Sequence, residues 1–182
     1  MSHSIIWRGI YFPGHEACRL DGHDNKWSLE GTAVFSNDQL PCRLSYLIVC
    51  DSRWNTLRGS VSGWVGDDDV NIEVTVDEFH QWQFNGRRES AVDGCVDLDL
   101  NFSPVTNLLP IRRLNLGIGE HAEVKAAWLR FPSFELEPLV QVYTRLDESR
   151  YRYSSSDGEF VRELTVNEVG FVIDYPGFWT AD

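Results

Sequence analysis

Apolar and polar residues alternate with a period of two along most of this chain, and the 3.6-residue period of a helix is almost absent. That pattern restricts the fold to strands with one buried face. In the first half it runs through Ile5 to Phe12, Trp27 to Phe35, Cys42 to Asp51, Thr56 to Val65, Val70 to Val76 and Gln81 to Phe84. In the second half it runs through Cys95 to Phe102, Leu114 to Ile118, Val124 to Phe131, Leu139 to Leu146, Tyr151 to Ser154, Phe160 to Val166 and Phe171 to Tyr175. Asp21-Gly22, Asn85-Gly86, Asp93-Gly94 and Asp157-Gly158 suit two-residue hairpins, because both residue types tolerate positive φ. Tight turns enforce antiparallel neighbours. A flat sheet of so many strands would leave long open edges, so the expectation is mainly β: a strongly curved, many-stranded antiparallel sheet.

One segment breaks the pattern. In Phe102-Ser-Pro-Val-Thr-Asn-Leu-Leu-Pro-Ile-Arg-Arg-Leu114, Ser103 can cap a helix and Pro104 suits its first position. Leu108, Leu109 and Ile111 give it an apolar side, while Pro110 limits it to about two turns or kinks it. A single short helix beside many strands is best buried in the sheet's concavity, which strand side chains alone cannot fill. At 182 residues the chain is read as one domain, 1–182, able to bury roughly two thirds of its unfolded surface.

Composition narrows the partners. A net charge of -12 with no basic run disfavours nucleic acid and anionic membrane surfaces. No stretch approaches about 18 consecutive apolar residues, and Met1 to Gly14 lacks a basic then apolar leader pattern. No stable membrane insertion and a cytoplasmic location are therefore expected. Cys18, Cys42, Cys50 and Cys95 lack metal-ligand spacing and read as buried free thiols. His3, His15, His23, His80 and His121 are scattered and read as surface residues. Asp67-Asp68-Asp69 reads as a solvated loop tip, since the ligand spacing of a calcium loop is missing. Gly117 and Gly119 lack the third glycine and following helix of a dinucleotide fingerprint, and read as a turn. No catalytic, phosphate-loop or metalloprotease motif occurs, and no cofactor is expected.

Two groups of residues have chemistry to offer. Asp97 and Asp99 alternate with Val96, Leu98 and Leu100, so both carboxylates face one side of a strand about 7 Å apart, and Arg112-Arg113 follow the helix. These groups can orient a hydroxyl-rich or phosphate-bearing head group, or they can simply tie strand to helix. The second group is aromatic: Trp54, Trp64, Trp82, Trp128, Tyr143, Tyr151, Tyr153 and Tyr175 can line a pocket for acyl chains and sugar faces, or fill the core.

Several runs together resemble the putative glycolipid-binding family: Tyr46-Leu-Ile-Val-Cys-Asp-Ser-Arg-Trp54, Gly94-Cys-Val-Asp-Leu-Asp-Leu100, Thr106-Asn-Leu-Leu-Pro-Ile-Arg-Arg-Leu114, Gln141-Val-Tyr-Thr144 and Gly170-Phe-Val-Ile-Asp-Tyr-Pro176. The resemblance implies a spiral β-roll around a single helix, paired as a homodimer, and a lipid or glycolipid ligand. It supplies no catalytic residues. One departure is Val166-Asn167-Glu168, where the family favours an Asp before the glycine-led strand, so no role carries over to that position. The candidate ligand-binding residues are Asp97, Asp99, Thr106, Asn107, Arg112, Arg113, Trp54, Tyr143 and Tyr175. A non-catalytic binding protein is the first expectation. An enzyme of lipid or sugar metabolism using one Asp as acid or base, and a dimeric interaction protein, are the alternatives.

Overall fold

The computed structural model describes residues 2–182. They form one 15-stranded sheet that curls without closing, in the order β8-β7-β6-β5-β4-β3-β2-β1-β15-β14-β13-β12-β11-β10-β9. The strands are β1 (Ser2–Gly9), β2 (Gly14–His23), β3 (Lys26–Asn37), β4 (Leu40–Cys50), β5 (Thr56–Val65), β6 (Asp68–Val76), β7 (Trp82–Phe84), β8 (Arg87–Arg88), β9 (Asp97–Leu100), β10 (His121–Arg130), β11 (Glu135–Arg145), β12 (Arg150–Ser155), β13 (Phe160–Val166), β14 (Val172–Tyr175) and β15 (Trp179–Ala181). Two meanders meet at mid-sheet, where β1 pairs with β15 through Trp7↔Ala181 and Gly9↔Trp179. Every neighbouring pair is antiparallel except β9–β10, which is parallel because the chain crosses over through the helix between them.

The curl brings the β9 edge back against β5. The Thr56 amide at the start of β5 donates to Val96 O at 3.2 Å, and the Leu98 amide of β9 donates to Thr56 Oγ1 at 3.0 Å. Gly59 makes this approach possible, since a Cβ there would overlap the Leu98 side chain. At the other end, the fully buried Trp82 indole donates to Cys95 O at 3.0 Å and pins β7 to the segment entering β9.

Helix α1 (Leu108–Leu114) continues a 3₁₀ turn over Pro104–Asn107. Ser103 Oγ accepts from the Val105 amide at 3.2 Å, as expected of a cap before Pro104. Pro110 lies in the first turn of α1, where an amide proton has no intrahelical partner, so it is accommodated. Val105, Leu108, Leu109 and Ile111 are buried against the concave face of the sheet. Each contributes about 1.5–3 kcal/mol by leaving water.

Several sequence expectations are corrected. β2 is a strand that the alternation did not flag: its inward positions are Glu16, Cys18 and Leu20, and a glutamate among them disguises the apolar face. Asp21-Gly22 lies within β2, and the turn is made by Asp24 and Asn25 at positive φ. Leu114 to Ile118 is not a strand, because Leu114 ends α1 and Asn115 closes it in the left-handed region. Asp93-Gly94 turns the chain toward β9 instead of joining a hairpin, whereas Asn85-Gly86 joins β7 to β8 as expected. The short edge strand β8 and the short central strand β15 are likewise absent from the sequence expectation. His80 is half-buried, and its Nδ1 is buried without a partner among the described residues. All four cysteines are buried and free, and Asp67, Asp68 and Asp69 are exposed. Asn167 supplies the turn bonds an Asp would make there, its Oδ1 accepting from the amides of Val169, Gly170 and Phe171 at 3.0–3.1 Å.

Glu16 is the buried charge at the middle of the sheet. Its Oε1 accepts from Tyr46 Oη and Ser103 Oγ, each at 2.5 Å, so it ties β2, β4 and the helix cap together. Its Oε2 is buried with no partner among the described residues. Burial therefore pushes the carboxyl up to about 7, against the Ser103 and Tyr46 hydrogen bonds that lower it. A raised folded-state pKa means that the native chain holds the proton more tightly. Its contribution is complete below the ordinary carboxylate range and is lost as pH rises through about 7, roughly 3 kcal/mol in all. Urea unfolding at roughly pH 5 and pH 8 should show the wild type losing more stability than Glu16→Gln by about that amount. Equal losses would exclude Glu16 as the titrating group. Leu109, fully buried in α1, should cost about 2–5 kcal/mol on truncation to Ala in the same assay.

Candidate functional site

The proposed residues do not form one cluster; the structure distributes them over two clefts and the wall between them. On β9 the side chains alternate as expected. Leu98 lies against Gly59 of β5, while Asp97 and Asp99 face the helix and β11. Asp97 is buried and forms a two-pronged ion pair with Arg113, whose Nε donates to Oδ1 at 3.2 Å and whose Nη2 donates to Oδ2. Burial raises the Asp97 carboxyl, and the Arg113 charge and hydrogen bonds oppose that rise. This pair ties strand to helix.

Asp99 has a different environment. Its Oδ2 accepts from Gln141 Nε2 of β11 at 2.5 Å, and it borders a cleft of about 530 Å³. Burial pushes this carboxyl up to about 6; the Gln141 and Thr106 hydrogen bonds lower it, and the Asp97 charge raises it further. Thr106 Oγ1 accepts from the Leu100 amide at 3.2 Å and so fixes the 3₁₀ turn beside the carboxylate. Asn107 also lines the cleft, its Oδ1 accepting from Tyr143 Oη at 2.9 Å. Tyr143 is buried behind the cleft, and burial raises its phenol.

Much of the rest of this cleft is aromatic. Tyr153 of β12, Tyr175 of β14, and Phe178 after it form one wall, with ring centroids 6.3 Å apart for Tyr153–Tyr175 and 5.2 Å for Tyr175–Phe178. Tyr11, in the loop between β1 and β2, stacks on Phe178 at 5.3 Å, and Trp128 of β10 lies across from them. Ser155 adds a hydroxyl. Aromatic rings and the polar groups of Asp99, Asn107 and Ser155 thus line one cleft, to which Asn37, Asp38, Asn101, Ser103 and Ser156 add further polar groups.

Trp54 and Arg112 are elsewhere, in a second cleft of about 1010 Å³ that shares no lining residue with the first. Trp54 is buried beneath the Arg112 guanidinium, which lies 5.3 Å from its ring centre. Sequence reasoning missed Glu16, Gln141, Ser155, Tyr11 and Phe178. A glutamate and a glutamine at inward strand positions are a legible signal, but Tyr11 and Phe178 lie in loops, where alternation gives none.

Among the described residues, no group of His, Cys, Asp or Glu is arranged to hold a metal. No described helix is long and apolar enough to cross a membrane, which says nothing of crossing by strands.

Comparison with known proteins places this geometry in context. No curated protein sequence matches the chain. The structure is similar to that of a DUF1089 family protein from Pseudomonas aeruginosa, at 35% identity and a TM-score of 0.78 over 91% of this chain and 90% of the other. It also resembles a beta-barrel-like protein of domain DUF1849 from Brucella abortus, at 8% identity and a TM-score of 0.61 over 100% and 94% of the two chains, a likeness of fold alone. The sequence profile of the family described as "Putative glycolipid-binding" matches residues 4–181, and the chain belongs to that family.

Proposed function

We propose that this protein binds a neutral glycolipid or a similar amphiphile in the aromatic cleft, without chemical turnover. One observation carries the reading: a half-buried carboxylate with no cation beside it, Asp99, set among the aromatic rings of a cleft of about 530 Å³. The Tyr175 and Phe178 wall suits an acyl chain or the apolar face of a sugar, and Asp99, Asn107 and Ser155 suit its hydroxyls. The family description agrees with a binding role.

The reading includes a chain that acts as one domain, rolled as a spiral around α1, in the cytoplasm and as a homodimer. The outer face offers exposed Ile6 and Val34 to a second copy. Sedimentation at micromolar concentration should then give a dimer, and a monomer there removes that part.

Catalysis is the second reading, favoured by an Asp99 carboxyl raised to about 6. Against it, Asp97 is committed to Arg113, so the acid pair used in glycoside cleavage is not free.

n-Octyl β-D-glucoside below its micelle concentration is the probe. Saturable binding is expected, weakened by Phe178→Ala at the rim and by Asp99→Asn. An ionised Asp99 accepts from two hydroxyls, so affinity should rise roughly tenfold between about pH 5 and about pH 7, and Asp99→Asn should abolish that rise. Wild-type affinity in both variants would overturn the reading, as would the absence of saturable binding.

A further inference from the structure

The second cleft gathers Arg53, Arg112, Arg113 and Arg145 on a chain whose net charge is -12. Asp97 neutralises Arg113. Among the described residues no carboxylate pairs with the other three; Glu148 and Glu168 also line the cleft and are exposed. A cluster of like charges costs energy unless something anionic occupies it.

Arg112, though exposed, is held in place by an aromatic ring. Its guanidinium lies over Trp54, and Trp54 in turn stacks on Trp27 with centroids 4.6 Å apart and planes within 10°. The stack is built by a constrained turn between β4 and β5. Trp54 has φ +70, a conformation that costs an aromatic residue of order 1–3 kcal/mol. Asp51 holds that turn, its Oδ1 accepting from the amides of Arg53 and Asn55 at 2.8 and 2.9 Å and its Oδ2 from Asn55 Nδ2 at 2.8 Å. A guanidinium stacked on a ring keeps its N–H edges free, and among the described residues those of Arg112 have no recorded acceptor. The helix dipole explains positive charge in the last turn of α1, but not a guanidinium laid over a ring.

Arg145 is fixed just as firmly by neutral groups. It donates to the carbonyls of Leu116 at 2.8 Å, Asp147 at 3.1 Å and Glu148 at 3.3 Å, so its charge is positioned but not cancelled. A preorganised fork with further fixed positive charge is how proteins recognise phosphate. We infer that the cleft between the Asp51–Asn55 turn and the end of α1 is a second ligand site, taking a phosphate monoester with Arg112 as its bidentate donor. It stands independently of the glycolipid reading, since no residue is shared between the two clefts.

Calorimetry at low ionic strength with inorganic phosphate, sn-glycerol 3-phosphate and dihexanoyl phosphatidic acid tests this. Saturable one-to-one binding of at least one probe is expected. Arg112→Gln should weaken it roughly tenfold or more, Arg112→Lys should weaken it less, and Asp99→Asn should leave it unchanged. Arg152→Gln, at an exposed arginine outside the cleft, serves as the control for diffuse charge. Tighter binding of dihexanoyl phosphatidic acid than of glycerol phosphate identifies a lipid head group as the source, and equal binding identifies a soluble phosphate ester; both support the site. No saturable binding overturns it, as does full affinity in Arg112→Gln or an equal loss in Arg152→Gln. Arg112 is exposed, so thermal melts of its variants should match the wild type.

Discussion

A sheet of 15 strands cannot remain flat in water, and once it curls its concave face must be filled. Segment 102–111 fills it. Phe102, Val105, Leu108 and Leu109 supply apolar volume where inward strand residues such as Trp7, Leu44 and Ile48 converge. The crossover that delivers this segment also explains the parallel β9–β10 pair and brings β9 back against β5. Helix, edge strand and curl therefore form one arrangement: a change at Leu109 or Gly59 acts on the whole molecule and not on one element.

The buried polar groups lie along that same segment. Ser103 meets Glu16, Thr106 meets the Leu100 amide beside Asp99, Asn107 meets Tyr143, and Arg113 meets Asp97. Each turn of the inner segment thus has a hydrogen-bonded anchor in the surrounding strands, which fixes its rotation about its own axis. The two acids that remain imperfectly satisfied are the ones pushed furthest toward neutrality. Glu16 has a bare oxygen inside the core, and Asp99 looks onto an aromatic cleft.

The two clefts differ in chemistry. One joins rings to the Asp99 carboxylate; the other joins stacked indoles to arginines. The Asp97–Arg113 pair lies between them, on β9 and α1 respectively, and separates an acidic polar end from a basic one. The proposed amphiphile is assigned to the first, and the proposed phosphate to the second.

The sequence by itself determined the class of fold. Period-two alternation names the face most strands bury, the Asn85-Gly86 corner requires antiparallel neighbours, and Ser103-Pro104 marks where the 3₁₀ turn leading into the only α-helix among the described residues begins, because these are local properties of the backbone and its nearest side chains. It also placed Asp97 and Asp99 on one face of one strand. What tertiary structure alone decided is who meets whom. Arg113 was taken by Asp97 while Arg112, one residue earlier, was swung onto Trp54 some 58 positions away in the chain. Asp99 was left to the aromatic cleft, and Glu16 was buried in a strand whose alternation its own charge had disguised. Those outcomes depend on contacts between residues distant in sequence, set by the curl and by the packing of the inner helix, and no local pattern encodes them.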